Sequence, residues 1–157
     1  MELFYQKMLR AVRRYPLIKS LIISFTKYIP IITFIIYPCV LLYLLVTNND
    51  LFLSTLVKPL LSFLIVTVIR KVINRQRPYE RMKIKPLLMH KLGESFPSRH
   101  TVSAFAIALA CLPVSLTLGI IMLILAFIVS LSRILCGVHF ISDVISAILI
   151  AFIIAAI

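Results

Sequence analysis

The chain has 157 residues, of which 62% are hydrophobic and only 14% are charged, and its net charge is +12. A soluble domain of this length needs a larger polar surface, so the composition excludes a soluble enzyme and predicts one membrane-embedded domain over residues 1–157. A basic membrane protein favours anionic lipid headgroups as partners, and no nucleic-acid-binding module is recognisable. The three cysteines lie in apolar segments without metal-ligand spacing, and we expect them to serve in packing.

The first part of the chain, residues 1–27, mixes basic and apolar side chains. Four basic residues alternate with five apolar ones, namely Lys7, Arg10, Arg13 and Arg14 with Leu3, Phe4, Met8, Leu9 and Val12. This pattern predicts a basic amphipathic helix that lies in the membrane interface. The apolar run that follows, from Tyr15 to Val46, exceeds the ~20 residues that span a bilayer. We therefore divide it into an interfacial piece at about 16–27 and a first span at about 29–46.

Four more apolar segments follow, at about 51–73, 98–113, 115–135 and 139–157. The predicted fold is thus an all-α, polytopic transmembrane bundle of about five spans in residues 28–157, preceded by the interfacial helix. Alternation of the spans places all helix ends with polar clusters on one membrane face. Five spans put the N-terminus on that face too, where its basic residues favour the cytoplasm. A further crossing or a re-entrant pair within residues 1–27 would remove this conflict, and the sequence leaves both arrangements open.

The last polar cluster contains Arg133, His139 and Asp143 within otherwise apolar sequence. Ionisable groups at membrane depth are costly and usually functional. In a helix, the four-residue spacing puts His139 and Asp143 on one face, where the carboxylate holds the imidazole in one tautomer. Such a histidine serves as nucleophile or base, and the planar guanidinium of Arg133 suits a phosphate. The alternative is a buried His–Asp bond and a helix-end arginine that only hold helices together.

A second cluster, Phe96–Thr101, opens the predicted third span. Pro97 or Ser98 favours a helix start, and the free N–H groups of a helix N-terminus favour a bound anion. The hydroxyl of Ser98 adds a possible contact, and His100 is placed to donate a proton to a leaving oxygen. The alternative is helix capping beside a surface arginine, Arg99, and a surface histidine.

A third cluster, Arg70–Pro78, closes the predicted second span. Arg70, Asn74 and Arg77 recur at helical spacing, and we expect them to face one anion together. The alternative is a basic helix end that extends to the lipid headgroups. Because the three clusters occupy helix ends on one predicted face, we favour a phosphate site built from all of them.

Together the clusters resemble the motifs of the type 2 phosphatidic acid phosphatase (PAP2) superfamily. The matching order is Arg-x6-Arg-Pro from Arg70, Pro-Ser-Arg-His from Pro97 and Ser-Arg-x5-His-x3-Asp from Ser132, and it covers about residues 50–157. The resemblance implies an all-helical fold and phosphate-ester hydrolysis that needs neither a metal nor a cofactor.

The resemblance also implies a role for each matching residue. His139 would be the nucleophile that forms a phosphohistidine, Asp143 would orient it, and His100 would protonate the leaving oxygen. Backbone N–H groups and three side chains would hold the phosphoryl oxygens, those of Arg77, Ser98 and Arg133.

Two positions depart from the family pattern. The first motif usually begins with lysine, but Arg70 stands there and Lys71 is one residue out of register. The second motif usually has glycine where this chain has Arg99. We count all three among the predicted substrate-binding residues. Arg99 either extends to the headgroups or contacts a second phosphate.

The expected function is therefore hydrolysis of a membrane lipid phosphate, with undecaprenyl diphosphate favoured over phosphatidylglycerophosphate or phosphatidic acid. The active site is expected to face the extracytoplasmic side of the cell membrane, where bacterial members of this family recycle the carrier lipid of wall synthesis. Membrane lipids are the other expected partners, and the oligomeric state stays open. Two rival readings are a non-catalytic lipid-phosphate binder or transporter, and a structural membrane protein with fortuitous polar helix ends.

Overall fold

A computed structural model describes every residue from Met1 to Ile157. It consists of seven helices without any strand: α1 (Glu2–Arg14), α2 (Pro16–Val46), α3 (Leu51–Ile73), α4 (Pro78–Arg81), α5 (Arg99–Cys111), α6 (Leu116–Leu135) and α7 (Ile141–Ala156). Helices α2, α3 and α6 are long and apolar enough to cross a membrane, and α5 and α7 are shorter apolar helices. The predicted all-α membrane fold is confirmed, with span limits within about two residues of those expected from α3 onward.

Helix α5 forms the centre of the bundle and contacts α2, α3, α6 and α7. Four of its buried residues are alanines, at positions 104, 106, 108 and 110. Small side chains let helix backbones approach closely, and such packing is a main source of helix association in lipid. Because α5 touches all four apolar neighbours, it fixes where their polar ends lie.

The apolar helices run between two faces of the molecule. We call the site face the one at which α3 and α6 end and α5 and α7 begin. The far face carries two short turns, residues 47–50 and 112–115, and the C-terminal end of α7, and none of these contains lysine or arginine. Lys58 alone extends toward this face, where its ammonium donates to the carbonyl of Ala155 at 2.9 Å.

Helix α2 runs without interruption from Pro16 to Val46, so the predicted division near residue 28 is not found. Its two internal prolines, Pro30 and Pro38, are accommodated within the helix. Because Pro30 has no N–H group, the carbonyl of Thr26 loses its helical partner, and Arg133 donates to that carbonyl at 3.4 Å, which is one way that transmembrane helices tolerate proline. At 1.5 Å per residue the helix is ~46 Å long, so it extends beyond a ~30 Å hydrocarbon core.

Helix α1 lies on the site face and is amphipathic, as expected, but its buried face packs on the protein. Tyr5, Leu9 and Val12 are buried, while Leu3 and Phe4 remain exposed. The hydroxyl of Tyr5 donates to the backbone carbonyl of His139 at 3.2 Å. The helix therefore supports the segment that precedes α7.

Candidate active site

A polar cavity of about 140 Å³ opens on the site face. None of its nine lining residues is hydrophobic: they are Arg70, Arg77, His90, Lys91, Gly93, Glu94, Arg99, His100 and His139. Four of these side chains are cationic and one is anionic, so the cavity favours an anion. Each of the three predicted clusters contributes at least one lining side chain.

His139 occupies the short segment between α6 and α7, two residues before α7 begins. Its ring is buried, and Nδ1 lies 3.4 Å from Oδ2 of Asp143. The same carboxylate oxygen accepts the backbone N–H of Phe140 at 2.9 Å and so caps the start of α7. The two predicted partners therefore meet, although only Asp143 belongs to the helix. With Nδ1 directed at Asp143, Nε2 is the ring nitrogen left for chemistry in the cavity.

Two further residues hold the Asp143 carboxylate, which has no exposed surface. Arg75 donates to Oδ1 at 2.7 Å, and the hydroxyl of Ser95 donates to Oδ2 at 2.5 Å. The Arg75 guanidinium also lies 4.3 Å from the ring centroid of Phe140. A buried charge requires partners of this kind. The sequence analysis missed both residues, and their only signal is that each stands two positions before a motif residue.

Arg77 joins the loop of residues 82–98 to the segment that carries His139. Its Nε donates to the carbonyl of Gly93 at 3.1 Å, and Nη1 donates to the carbonyl of Val138 at 3.2 Å. Glu80 ties the loop a second time, because its carboxylate accepts the backbone N–H groups of Arg77 and Gly93, both at 2.8 Å. Arg77 is thus held in place at the cavity wall, with its remaining N–H groups left for an anion.

Arg70 and Arg133 are both almost completely buried, with 5% and 3% of their surface exposed. Arg70 donates to the carbonyl of Pro97 at 2.8 Å, and Arg133 donates to the carbonyl of Thr26 at 3.4 Å. In each of the two arginines the Nε–H group has no hydrogen-bond partner. Leaving such a group unpaired in the interior is costly, so both arginines are suited to receive an anion.

The start of α5 brings Ser98, Arg99 and His100 to the site face. Ser98 caps the helix, because its hydroxyl oxygen accepts from the backbone N–H of Thr101 at 3.4 Å. Its backbone N–H donates to the carbonyl of Asp143 at 3.0 Å. It is buried and lies outside the cavity lining. Arg99 is exposed, with its guanidinium 5.7 Å from the ring centroid of Phe63. His100 lines the cavity.

Two residues of the cluster Arg70–Pro78 lie outside the site. Lys71 is exposed and does not line the cavity, because it follows Arg70 on the helix and points away from its neighbour's face. Asn74 ends α3 in the left-handed conformation with φ of 41°, and its side-chain carbonyl accepts the backbone N–H of Glu94 at 3.1 Å. The predicted convergence of three helical residues on one anion is therefore reduced to Arg70 and Arg77.

The structure also adds a third histidine, His90, which the sequence analysis did not single out. It lines the cavity, and its ring is stacked on that of His100 with centroids 6.4 Å apart. It stands in a loop without a recognisable motif, so nothing in the sequence marked it.

Fold and site together define a class: an all-helical membrane protein whose helix ends enclose a cationic cavity with two histidines from separate motifs. Phosphoryl transfer depends mainly on positioning and on charge stabilisation, and this arrangement can supply both. The model of the PAP2 superfamily matches residues 50–157, and the chain belongs to that superfamily.

The chain is also similar to individual proteins. Over 89 residues the chain is 30% identical to the bacitracin transport permease protein BcrC of Bacillus licheniformis, an alignment that covers 54% of the chain and 44% of that relative. The chain is also similar to the crystal structure of Aquifex aeolicus LpxE, with a TM-score of 0.78, 25% identity and coverage of 98% of this chain and 90% of the other.

The same fold occurs in the transmembrane PAP2 type phosphatidylglycerolphosphate phosphatase of Bacillus subtilis. That structure gives a TM-score of 0.64 at 21% identity and covers 98% of this chain and 92% of the other. The chain is thus a multi-pass membrane protein of the PAP2 superfamily, and it spans less than half of the curated relative that it matches.

Proposed function

We propose that the protein is a membrane lipid phosphatase that acts through a phosphohistidine formed on His139. The observation that carries this proposal is the polar cavity, in which His100, His139 and four cationic side chains meet. Asp143 would hold His139 through Nδ1, so that Nε2 is free to attack phosphorus.

The proposed reaction has two steps, which use two histidines of this chain and one water molecule. The Nε2 lone pair of His139 forms a bond to phosphorus while the bond to the leaving oxygen breaks, and His100 gives that oxygen its proton. Water then attacks the phosphohistidine and loses a proton to His100, which releases inorganic phosphate and restores His139. Arg70 and Arg77 would stabilise the charge on the transferred group.

A second cleft, of about 190 Å³, supports a lipid rather than a soluble substrate. It shares Arg99 and His100 with the polar cavity, and half of its ten lining residues are hydrophobic, among them Phe34 and Phe63. A hydrocarbon chain in this cleft would place a phosphate headgroup at the histidines.

Undecaprenyl diphosphate is the proposed substrate, and phosphatidylglycerophosphate or phosphatidic acid is the alternative. A diphosphate is supported by the excess of positive charge in the cavity. Arg70 and Arg77 are enough for one phosphoryl group, and Lys91 and Arg99 are additional cations for a second one. The reaction is proposed to need no metal, since arginines supply the positive charge and no group of three or more metal-ligating side chains occurs in the structure.

The decisive experiment is phosphate release from undecaprenyl diphosphate by the purified full-length protein in detergent, with EDTA present. We expect turnover in the chelator and inhibition by vanadate, which imitates five-coordinate phosphorus. A strict Mg²⁺ requirement would contradict the metal-independent mechanism. Binding of substrate without release of phosphate would favour a binder or transporter, an alternative consistent with the name of the B. licheniformis relative, a transport permease protein.

The site is proposed to face the extracytoplasmic side. Cysteines at Lys83 and Ser142, both exposed on the site face, should react with an impermeant reagent added outside intact cells, whereas one at Asn48 on the far face should not. The reverse result would place the site in the cytoplasm, as the many basic residues of the site face would favour by the positive-inside rule. Val138 beside the nucleophile is fully buried and is not a useful labelling position.

A further inference from the structure

His90 separates Arg133 from the polar cavity. Arg133 is the arginine of the third motif, yet it does not line the cavity, whereas His90 does. The Nη1 atom of Arg133 lies 3.1 Å from Nε2 of His90. Arg133 is 97% buried, and its Nε–H group has no partner. The buried arginine is therefore only partly satisfied, and its one side-chain partner is a residue from a loop.

The direction of this hydrogen bond follows from the donor. A guanidinium only donates, so Nε2 of His90 accepts and the ring is neutral with its hydrogen on Nδ1. Burial, together with the charges of Arg133, Arg77 and Arg70, lowers the pKa of His90 to about 4, in keeping with a neutral ring. A neutral imidazole nitrogen and a phosphate oxygen are both acceptors, so they compete for the same N–H group.

Tyr79 holds the backbone of His90, and His100 holds its ring. The hydroxyl of Tyr79 donates to its backbone carbonyl at 2.8 Å, and its ring is stacked on His100. The neighbouring Met89 and Lys91 are exposed and do not enclose the ring, and the contact with Arg133 is made by the His90 side chain alone. The ring can therefore leave Arg133 without disturbing the helices.

We propose that His90 is a specificity-determining residue of the site, which occupies an Arg133 donor in the empty cavity and is displaced by the phosphoryl group. This inference rests on the proposed function and extends it, because Arg133 would then bind a phosphoryl oxygen beside Arg70 and Arg77. An anion gains Arg133 only if it is a stronger acceptor than the imidazole. A phosphate dianion satisfies that condition through charge-assisted hydrogen bonds, whereas neutral or weakly basic headgroups do not.

Removal of the His90 ring should tighten the binding of a phosphate-like anion. His90→Ala removes the competitor, so orthovanadate should bind about 2- to 10-fold more tightly than to the wild type. Ground state and transition state gain the same contact, so KM should fall by a similar factor. His90→Gln keeps an acceptor oxygen for Arg133 and should behave like the wild type.

The measurement is isothermal titration of orthovanadate into the full-length protein in detergent with EDTA, for wild type, His90→Ala, His90→Gln and the neighbouring control Met89→Ala. Adding His90→Ala to Arg133→Ala should change nothing, because the effect acts through Arg133. Weaker or unchanged affinity in His90→Ala, or tighter binding that persists without Arg133, overturns the assignment. A wild type that neither binds vanadate nor releases phosphate overturns the proposed function itself, and with it this inference.

Discussion

The site-face half of the molecule and the far-face half are held together by different interactions. All five buried arginine, histidine and aspartate residues lie in the site-face half: Arg70, Arg77, Arg133, His139 and Asp143. Hydrogen bonds between side chains and loop backbone fix their positions there. The far-face half has a core of alanines on α5 with Met122, Ala126 and Ala147 against them. Its buried Ser62 donates only to its own helix, at the carbonyl of Lys58.

The far-face half therefore contributes mainly to stability, and the site-face half mainly to activity. In lipid, close packing of small residues supplies helix association, and the far-face half shows that packing. The site-face half instead accumulates charges that are costly to bury and that are arranged around a cavity. Changes on the site face should therefore reduce activity with the fold retained, and changes on the far face should reduce stability with the chemistry retained.

The largest effect is expected from His139→Ala. Loss of the nucleophile should reduce phosphate release by about 10⁴-fold or more, because no other group can form the covalent intermediate. Detergent-purified protein would be assayed for phosphate release, with elution volume and Tm as the controls for folding. Normal turnover would exclude the phosphohistidine mechanism.

A smaller loss is expected from Asp143→Asn. The amide can no longer hold the correct tautomer of His139, so activity should fall by about 10²- to 10⁴-fold while the nucleophile remains. Arg75 would also lose its charged partner, so Tm should fall as well. Ser95→Ala is the matched control, because it removes one hydrogen bond to Asp143 and leaves the carboxylate charge. Equal losses in the two variants would contradict a special role for that charge.

Arg99→Gly tests the preference for a diphosphate. If the exposed Arg99 contacts a second phosphate, its loss should lower the ratio of kcat/KM for undecaprenyl diphosphate over undecaprenyl phosphate by about 10- to 100-fold. Lys71→Gly is the control, since Lys71 is exposed near the site-face end of α3 but does not line the cavity. A ratio that stays constant within error would leave Arg99 as an arginine that extends to the headgroups.

The smallest effect on activity is expected on the far face. A Cβ atom at Gly119 of α6 would lie 2.7 Å from the Cα atom of Leu112, so Gly119→Ala must displace backbone. We expect a loss of about 1–3 kcal/mol in stability, measured as a lower midpoint of unfolding in detergent. The folded fraction should keep its kcat/KM. A large drop in kcat without loss of stability would show that the two halves are not separable in this way.

The sequence by itself determined the elements whose signals are local. The apolar run of α3 ends where its basic residues begin, and the helix was predicted with the observed limits, Leu51–Ile73. The four-residue spacing likewise predicted that His139 and Asp143 would meet. The helical premise was wrong for His139, which precedes α7, but the contact forms because the two residues are close in the chain. Composition alone was enough for the all-helical membrane class.

Tertiary structure decided what depends on residues distant in the chain. Local rules divide α2 at residue 28, but Arg133 of α6 donates to the carbonyl of Thr26 that Pro30 leaves free, and one helix results. Ser95 is 48 positions away from Asp143, and His90 is 43 positions away from Arg133, so no periodicity could reveal either pair. Lys71 carried the same charge as its neighbour Arg70, yet successive helical residues point in different directions, and only the packing of α3 against α5 decided which one lines the cavity.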